Sequence, residues 1–167
     1  MGYKIKIAET EKEIQEITNL AKKIWHDTYD VLIGREQVDY MLEKYQSVHA
    51  ITEAVQSDHY RYYIAAEKEK VLGFCGLKPE PESNRLFVSK IYVDPTYQKN
   101  GIARRFFLTA KCFAEEQNKE ILYLTVNKEN ANAIAVYKHF GFEITKNVVT
   151  DIGHGYVMDD YIMEYRI

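Results

Sequence analysis

The chain has 167 residues, of which 46% are hydrophobic and 28% charged, a composition typical of a globular domain rather than of a disordered chain. Lysine and arginine together number 22, and aspartate and glutamate 25, so the net charge of −3 gives no general attraction to nucleic acid or to an anionic membrane. No apolar run approaches the roughly 18 residues of a membrane span, and the N-terminal "MGYKIKIAETEKE" has no apolar signal core. We therefore expect one cytoplasmic domain over residues 1–167.

The cysteines and histidines indicate neither a metal site nor a disulfide framework. The two cysteines, Cys75 and Cys112, have no CxxC or metal-like spacing, and in a cytosolic protein both are expected to be free thiols. Four of the five histidines, His26, His49, His59 and His139, likewise lack ligand spacing. We predict no bound metal.

The first half of the chain reads as a strand, a set of helices and three strands. "YKIKIA" alternates like a strand, and "TEKEIQEITNLAKKIW" has helical periodicity with a capping-box pair at Thr10 and Glu13. We expect this helix to end at or before Gly34. A second helical stretch covers 35–46, and 47–56 either continues it or makes a third. The β-rich runs at 60–68, 70–79 and 85–94 predict an antiparallel meander.

The second half changes periodicity after Asp94-Pro95, where the third of these strands should end. A helix is predicted from Gly101, and "EILYLTV" is apolar on both faces, as in a buried parallel strand. "NANAIAVYKHF" predicts a short helix with Gly141 as its C-cap, and two final strands flank "DIGHG". The segment from 90 to 126 is thus a strand–helix–strand crossover, expected to be right-handed and parallel.

The joint "QKNGIA" between strand and helix has the features of an anion site. A helix N-terminus exposes unpaired N–H groups, and the helix dipole adds attraction for a phosphate. Gly101 removes a Cβ from the approach to the main chain, and Ala103 is small. The joint contains neither the Walker pattern nor the dinucleotide fingerprint, and taken alone a polar turn with one glycine is weak evidence.

Two motifs around this joint resemble those of the GCN5-related N-acetyltransferase (GNAT) superfamily. Gln98-x-x-Gly101-x-Ala103, after "IYVDPTYQ", resembles its motif A, and Asn130-x-x-Ala133-x-x-x-Tyr137, before "HFGF", resembles its motif B. The resemblance is good over 85–142, whereas 3–78 match in element order only. It implies an α/β (α+β) fold with one mixed, mostly antiparallel sheet of about seven strands, flanked by helices and splayed between strands 4 and 5.

The resemblance also implies acetyl-CoA as the acyl-donor substrate. Its pyrophosphate would bind backbone amides of the glycine loop, and its pantetheine would bind free groups of the splayed strand. The residues implied in coenzyme binding are Ile91, Tyr92, Val93, Gln98, Lys99, Asn100, Gly101, Ile102, Ala103, Arg104, Asn130, Asn132 and Lys138. Helix capping is a sufficient alternative role for Asn130, and surface exposure a sufficient one for most of the basic side chains.

For the reaction, the resemblance implies direct attack of an amine on the acetyl thioester in a ternary complex. Tyr137 occupies the motif position whose hydroxyl assists the departing sulfur, and a phenol with a pKa of about 10 suits a donor. Many relatives carry a glutamate before motif A as general base, but "RLFVSKIYV" contains no carboxylate. A water chain or another group must act instead, with His154, Asp159 and Asp160 as candidates.

The acceptor is the least determined part of the prediction. The first two helices and the last hairpin form the acceptor wall in GNAT proteins, which points to Trp25, Tyr29, Tyr40, His154, Tyr156, Asp159 and Asp160. The C-terminal segment is similar to that of bacterial spermidine-type acetyltransferases, and the paired aspartates would suit a cation. We expect a small-molecule primary amine as acceptor. A non-catalytic acyl-CoA-binding module and a protein or peptide N-acetyltransferase are the alternatives, and a homodimer is compatible with the sequence.

Overall fold

A computed structural model describes residues 2–167 as one mixed seven-stranded sheet with helices on both faces. The strands are β1 (Lys4–Ile7), β2 (Arg61–Glu67), β3 (Lys70–Pro79), β4 (Arg85–Val93), β5 (Ile121–Asn127), β6 (Glu143–Gly153) and β7 (Tyr156–Arg166). Their order across the sheet is β1-β2-β3-β4-β5-β7-β6. All neighbours are antiparallel except β4 and β5, so the predicted meander, parallel crossover and mostly antiparallel sheet are confirmed.

The helices are α1 (Glu11–Ile33), α2 (Arg35–Met41), α3 (Val48–Ser57), α4 (Ile102–Glu116) and α5 (Ala131–Phe140). Both halves of the predicted capping box start α1, since the Thr10 hydroxyl accepts from the Glu13 N–H at 3.1 Å and the Glu13 carboxylate accepts from the Thr10 N–H at 3.0 Å. Between α2 and α3, Leu42–Gln46 form a π-helical turn. No helix among residues 2–167 is both long and apolar enough to cross a membrane.

Two hydrophobic cores lie on opposite faces of the sheet. The helices α1 to α3 cover one face, where Ile17, Ala21 and Ile24 pack against residues of β2 and β3. On the other face α4 packs through Phe106, Ala110 and Phe113. The apolar faces of these amphipathic helices are therefore buried against the sheet.

The strands β4 and β5 are paired over three residues only and then separate. Their parallel register joins Arg85, Leu86 and Phe87 to Ile121, Leu122 and Tyr123, and no later residue of β4 pairs with β5. The register of β3 with β4 shifts between Gly76 and Leu77, which leaves Ser89 as a bulge. A bulge bends its strand, so β4 turns away from β5 at this point. The predicted splay between strands 4 and 5 is confirmed.

The prediction that β5 is buried on both faces is wrong. Leu122, Leu124 and Val126 are buried, but Thr125 between them is exposed. One face packs on the α4 core, whereas the other lies beside the opening left by β4. The apolar run therefore reflects a strand that borders a cleft rather than one covered by helices on both sides.

Candidate active site

The turn predicted to bind the coenzyme, residues 98–104, follows β4 and leads into α4, and we call it the coenzyme loop. Gly101 has φ +78°, and a Cβ built on it would meet no atom nearer than the Tyr3 hydroxyl at 3.9 Å. Glycine is therefore required by the backbone conformation and not by crowding within the protein. The space above it is open, as an approaching phosphate needs.

The start of α4 has no side-chain cap. Gly101 is its N-cap, with no side-chain hydrogen bond, and the first backbone bond within the helix runs from the Arg105 N–H to the Gly101 carbonyl at 3.0 Å. The N–H groups of Ile102, Ala103 and Arg104 thus precede the first intrahelical donor. Uncapped donors at the positive end of a 15-residue helix give this turn the features of an anion site.

The loop is fixed from the opposite edge of the sheet. The Tyr3 hydroxyl donates to the Asn100 carbonyl at 3.1 Å, and the Asn100 side-chain amide donates to the Tyr97 carbonyl at 3.0 Å. The side chains of Gln98, Lys99 and Arg104 are exposed around it. The residues present therefore fit the diphosphate of a coenzyme, with main-chain donors at the centre and two cations at the rim.

The bulge at Ser89 determines which side chains of β4 enter the cleft. In a regular strand alternate residues share a face, so Phe87, Ser89 and Ile91 would point the same way. The extra residue shifts this alternation by one position. Ile91 and Val93 therefore pack into the α4 core. A cavity on the α1 face is lined by Phe87, Ser89, Lys90 and Tyr92. The coenzyme candidates Ile91, Tyr92 and Val93 accordingly border the splay, where their strand has one unpaired edge.

The cavity next to the splay has a volume of about 220 Å³. Its walls come from α1, α2, the π-helical turn, β4, β5 and β7, together with Tyr60 before β2. Eighteen residues line it, and the aromatic ones are Trp25, Tyr29, Tyr45, Tyr60, Phe87 and Tyr92. We call it the acceptor cavity, because Trp25, Tyr29 and Asp160, which the sequence analysis predicted on the acceptor side, line it.

Every buried side-chain polar atom that lacks a hydrogen-bond partner within residues 2–167 belongs to the acceptor cavity. These atoms are Trp25 Nε1, both amide atoms of Gln46, and Asp160 Oδ1. Trp25 is 6% exposed, Gln46 1% and Asp160 3%. A buried polar group without a partner costs about 1–3 kcal/mol, and native proteins keep few of them. Concentrated around one cavity, these atoms need an ordered water or a polar ligand as a partner.

Asp160 is the acidic side chain that lines this cavity. Its carboxylate has no hydrogen-bond partner on Oδ1, and burial, reinforced by the neighbouring Asp159, raises its pKa to about 6. Its neighbour Asp159 is directed away, with 56% of its side chain exposed and Lys128 Nζ at 2.8 Å. Alternation along β7 therefore separates the two aspartates that the sequence grouped together.

Lys90 is the basic side chain that lines the same cavity. Its ammonium donates to the Tyr62 hydroxyl at 2.9 Å and lies 5.3 Å from the centre of the Tyr62 ring. Burial lowers the pKa of Lys90 to about 8. No carboxylate among residues 2–167 forms an ion pair with it.

Tyr137 lies in α5 and is not among the residues that line the cavity. Its ring packs against Phe142 with 5.9 Å between centroids. Burial raises its pKa, with smaller contributions from Tyr29 and Cys75, so the hydroxyl keeps its proton. Tyr137 in turn contributes to the raised pKa of Tyr92, a residue that lines the cavity.

Asn130 joins the two halves of the site. Its side-chain oxygen accepts from the Ala133 N–H at 3.3 Å, which caps α5, and its nitrogen donates to the Tyr29 hydroxyl at 3.0 Å. Both ends of the amide are thus engaged within the protein. Asn132 and Lys138, also predicted near the coenzyme, are exposed on the same helix.

Of the other predicted acceptor residues, Trp25 and Tyr29 line the cavity, with 5.2 Å between their rings. His154 lies in the β6–β7 turn, with its ring 4.8 Å from that of Tyr40, and is not among the lining residues. Gln46 was not predicted, because nothing in the sequence marks a π-helical turn. Sequence reasoning assigned no role to Lys90, because the direction of its side chain depends on the bulge.

The splayed sheet, the uncapped helix after a glycine loop and the polar cavity together define a coenzyme A-dependent acyltransferase. The chain matches the model of the Acetyltransferase (GNAT) family over residues 16–142 and belongs to that family, whose acetyl donor is acetyl-CoA. The fold and the donor implied by the two sequence motifs are thereby confirmed. Among the described residues no cluster of three or more His, Cys, Asp or Glu could hold a metal.

The chain is similar to three proteins that are all named as N-acetyltransferases, and one of the three names states an acceptor. The chain is 27% identical over 131 residues to human N-acetyltransferase 8, covering 75% of this chain but about half of that protein (53%). It is 25% identical over 122 residues to the spermine/spermidine N(1)-acetyltransferase of Bacillus subtilis, covering 68% of this chain and 78% of that one. The PaiA N-acetyltransferase of Thermoplasma acidophilum, solved in complex with coenzyme A, shares the fold with a TM-score of 0.81 at 21% identity, covering 98% and 99% of the two chains.

Proposed function

We propose that this protein transfers the acetyl group of acetyl-CoA to the primary amine of a small molecule bound in the acceptor cavity. The observation that carries the proposal is the set of unpartnered buried atoms, all of which lie around this one space. A volume of about 220 Å³ corresponds to roughly seven water molecules at the liquid share of about 30 Å³ each, which suits a small acceptor. It is too small for a folded partner, and only the end of a peptide would fit.

Asp160 is the group that receives the amine. A primary amine arrives as an ammonium ion and must lose a proton before it can attack a carbonyl carbon. With a pKa of about 6, Asp160 is mostly ionised at neutral pH, and its carboxylate lines the cavity and can accept a hydrogen bond from that ammonium. A base with a pKa close to the working pH is effective in proton transfer. Asp160 thus fills the place left by the missing glutamate, directly or through one water.

Bound acetyl-CoA supplies the thioester, from which the amine displaces the coenzyme A thiol. The N-terminus of α4 holds the diphosphate of the coenzyme with the main-chain donors of Ile102, Ala103 and Arg104. Tyr137 is protonated at neutral pH, since the ordinary pKa of tyrosine is about 10 and burial raises it further, so it can donate a hydrogen bond to the departing sulfur. The unpaired edge of β4 offers main-chain groups to the pantetheine chain.

The test is release of coenzyme A thiol from acetyl-CoA in the presence of single amines. The panel should contain diamines, amino acids, amino-acid amides and a short peptide with a free N-terminus. We expect turnover with one or more of the small amines, and acetylation confirmed by mass spectrometry of the product. Tight acetyl-CoA binding without turnover on any amine would instead favour a non-catalytic module.

A further inference from the structure

The acceptor cavity is lined by one positively charged and one negatively charged side chain. Among its eighteen lining residues, all within the described part of the chain, Lys90 and Asp160 are the charged ones. The remaining polar residues, such as Gln46, are neutral. The charges on the walls therefore sum to zero, which does not suit a polycation.

The two charges do not neutralise each other. Lys90 is on β4 and Asp160 is on β7, with β5 between them. Neighbouring paired strands are about 4.8 Å apart, so the two backbones are separated by roughly 10 Å or more across the splay. Neither side chain forms an ion pair with the other. Each is thus left to bind a separate group of a ligand.

The site around Lys90 is built for an anion. Tyr62, whose hydroxyl accepts from the ammonium, is 1% exposed, and this bond fixes the position of the Lys90 nitrogen. The remaining ammonium protons have no carboxylate partner. With a pKa of about 8, Lys90 is still mainly charged at pH 7. The unpartnered donors of Trp25 and Gln46 border the same cavity.

We propose that the acceptor is a zwitterion, an amino acid or a small amino-acid derivative, whose amine is bound by Asp160 and whose carboxylate is bound by Lys90. This proposal rests on acetyl transfer in the same cavity. A diamine or polyamine places its second ammonium toward Lys90, where like charges repel in a partly buried space. The likeness to spermidine-type enzymes therefore does not extend to the acceptor.

The experiment compares each amino acid with its own carboxamide and with the diamine or monoamine left by removing the carboxylate. The carboxamide has the same shape without the charge, so the ratio of the two kcat/KM values isolates the carboxylate. For wild-type protein we expect a preference for the acid of at least about tenfold. In Lys90→Met the ratio should fall to near one.

Lys78→Met is the matched control. Lys78 Nζ lies 5.4 Å from the centre of the Tyr60 ring, close to the 5.6 Å of Lys90, but Lys78 does not line the cavity. This variant should keep the preference for the acid. Acetyl-CoA binding by calorimetry shows whether each variant is folded.

The outcomes separate this inference from acetyl transfer itself. Equal turnover of acids and carboxamides by wild-type protein, or better turnover of diamines, overturns the zwitterion proposal and leaves acetyl transfer intact. An acid preference that persists in Lys90→Met overturns the assignment of Lys90. If no amine in the panel is acetylated, the proposed function fails and the inference fails with it.

Discussion

Asp159 and Asp160 are adjacent on β7, but their carboxylates lie in opposite environments. Asp159 is exposed and paired with Lys128, whereas Asp160 is buried with an oxygen that has no partner. The first is an ordinary surface ion pair, worth about 0–1 kcal/mol. The second is a buried carboxylate that lowers the stability of the protein without ligand, which is the expected character of a functional group.

The first prediction is that Asp160→Asn stabilises the ligand-free protein at neutral pH. The pKa of Asp160 is about 6 when folded and about 3.9 when unfolded, so ionisation opposes folding as the pH rises from about 4 through 6. Above that range the penalty is complete and amounts to at most about 3 kcal/mol. Urea denaturation should show Asp160→Asn more stable than wild type at pH 7 and equal to it at pH 4. Equal stability at both pH values would contradict the raised pKa.

The second prediction concerns the coenzyme loop. Gly101→Glu places a carboxylate where the diphosphate should bind, and calorimetry should show acetyl-CoA affinity reduced by at least about 100-fold. The substitution also strains a backbone with φ +78°. Gly155→Glu, in the β6–β7 turn, is the matched control, because Gly155 has φ +77° and open space around it. If both variants bind acetyl-CoA like wild type, the loop is not the coenzyme site.

The third prediction is that Tyr137→Phe lowers kcat more than it changes KM. The ring and its packing on Phe142 are retained, and only the proton for the departing sulfur is lost. General acids contribute about 10²–10⁴-fold, and the loss should lie toward the lower end because a thiolate with a pKa of about 8.5 is a tolerable leaving group. Tyr165→Phe is the control, since the Tyr165 ring lies 5.6 Å from the same Phe142. A wild-type rate for Tyr137→Phe, with chemistry shown to be rate-limiting, would make Tyr137 a packing residue.

The fourth prediction separates the two roles of Asn130. If it caps α5, Asn130→Ala should cost about 0.5–2 kcal/mol of unfolding free energy, and Asn130→Asp should keep the cap. The acidic variant should also bind acetyl-CoA as wild type does, because both ends of the Asn130 amide are already engaged. A large loss of coenzyme affinity in a folded Asn130→Asp protein would instead indicate direct contact with the coenzyme.

Local sequence signals predicted those parts of the structure that depend on a few neighbouring residues. The capping box of Thr10 and Glu13, the C-cap at Gly141 and the glycine loop at Gly101 are of this kind. Alternation along β7 could have shown that Asp159 and Asp160 face opposite sides, but not which one faces the cavity. That depends on the pairing of β7 with β5, which is a long-range contact.

The remaining parts of the site could not be predicted from local sequence. Each depends on an irregularity of the folded chain, either the bulge in β4 or the π-helical turn. The extra residue at Ser89 changes the phase of β4 and brings Lys90 and Tyr92 to the same wall. Gln46 reaches the cavity only because the chain forms a π-helical turn between α2 and α3. Both features are irregularities of the kind that occur near functional sites, and neither has a composition signal.

The most direct test of the account is the rate of acetyl transfer by Asp160→Asn beside Asp159→Asn, using the best amine from the panel. Asp160→Asn should lower kcat/KM by about 10²–10⁴-fold, because it removes the base and the partner of the ammonium. Asp159→Asn should have a far smaller effect, since it breaks a solvent-exposed ion pair and removes only the secondary contribution of Asp159 to the raised pKa of Asp160. Both variants should bind acetyl-CoA normally. A wild-type rate for Asp160→Asn, with the chemical step limiting, would show that the amine is not activated in this cavity and would contradict the account.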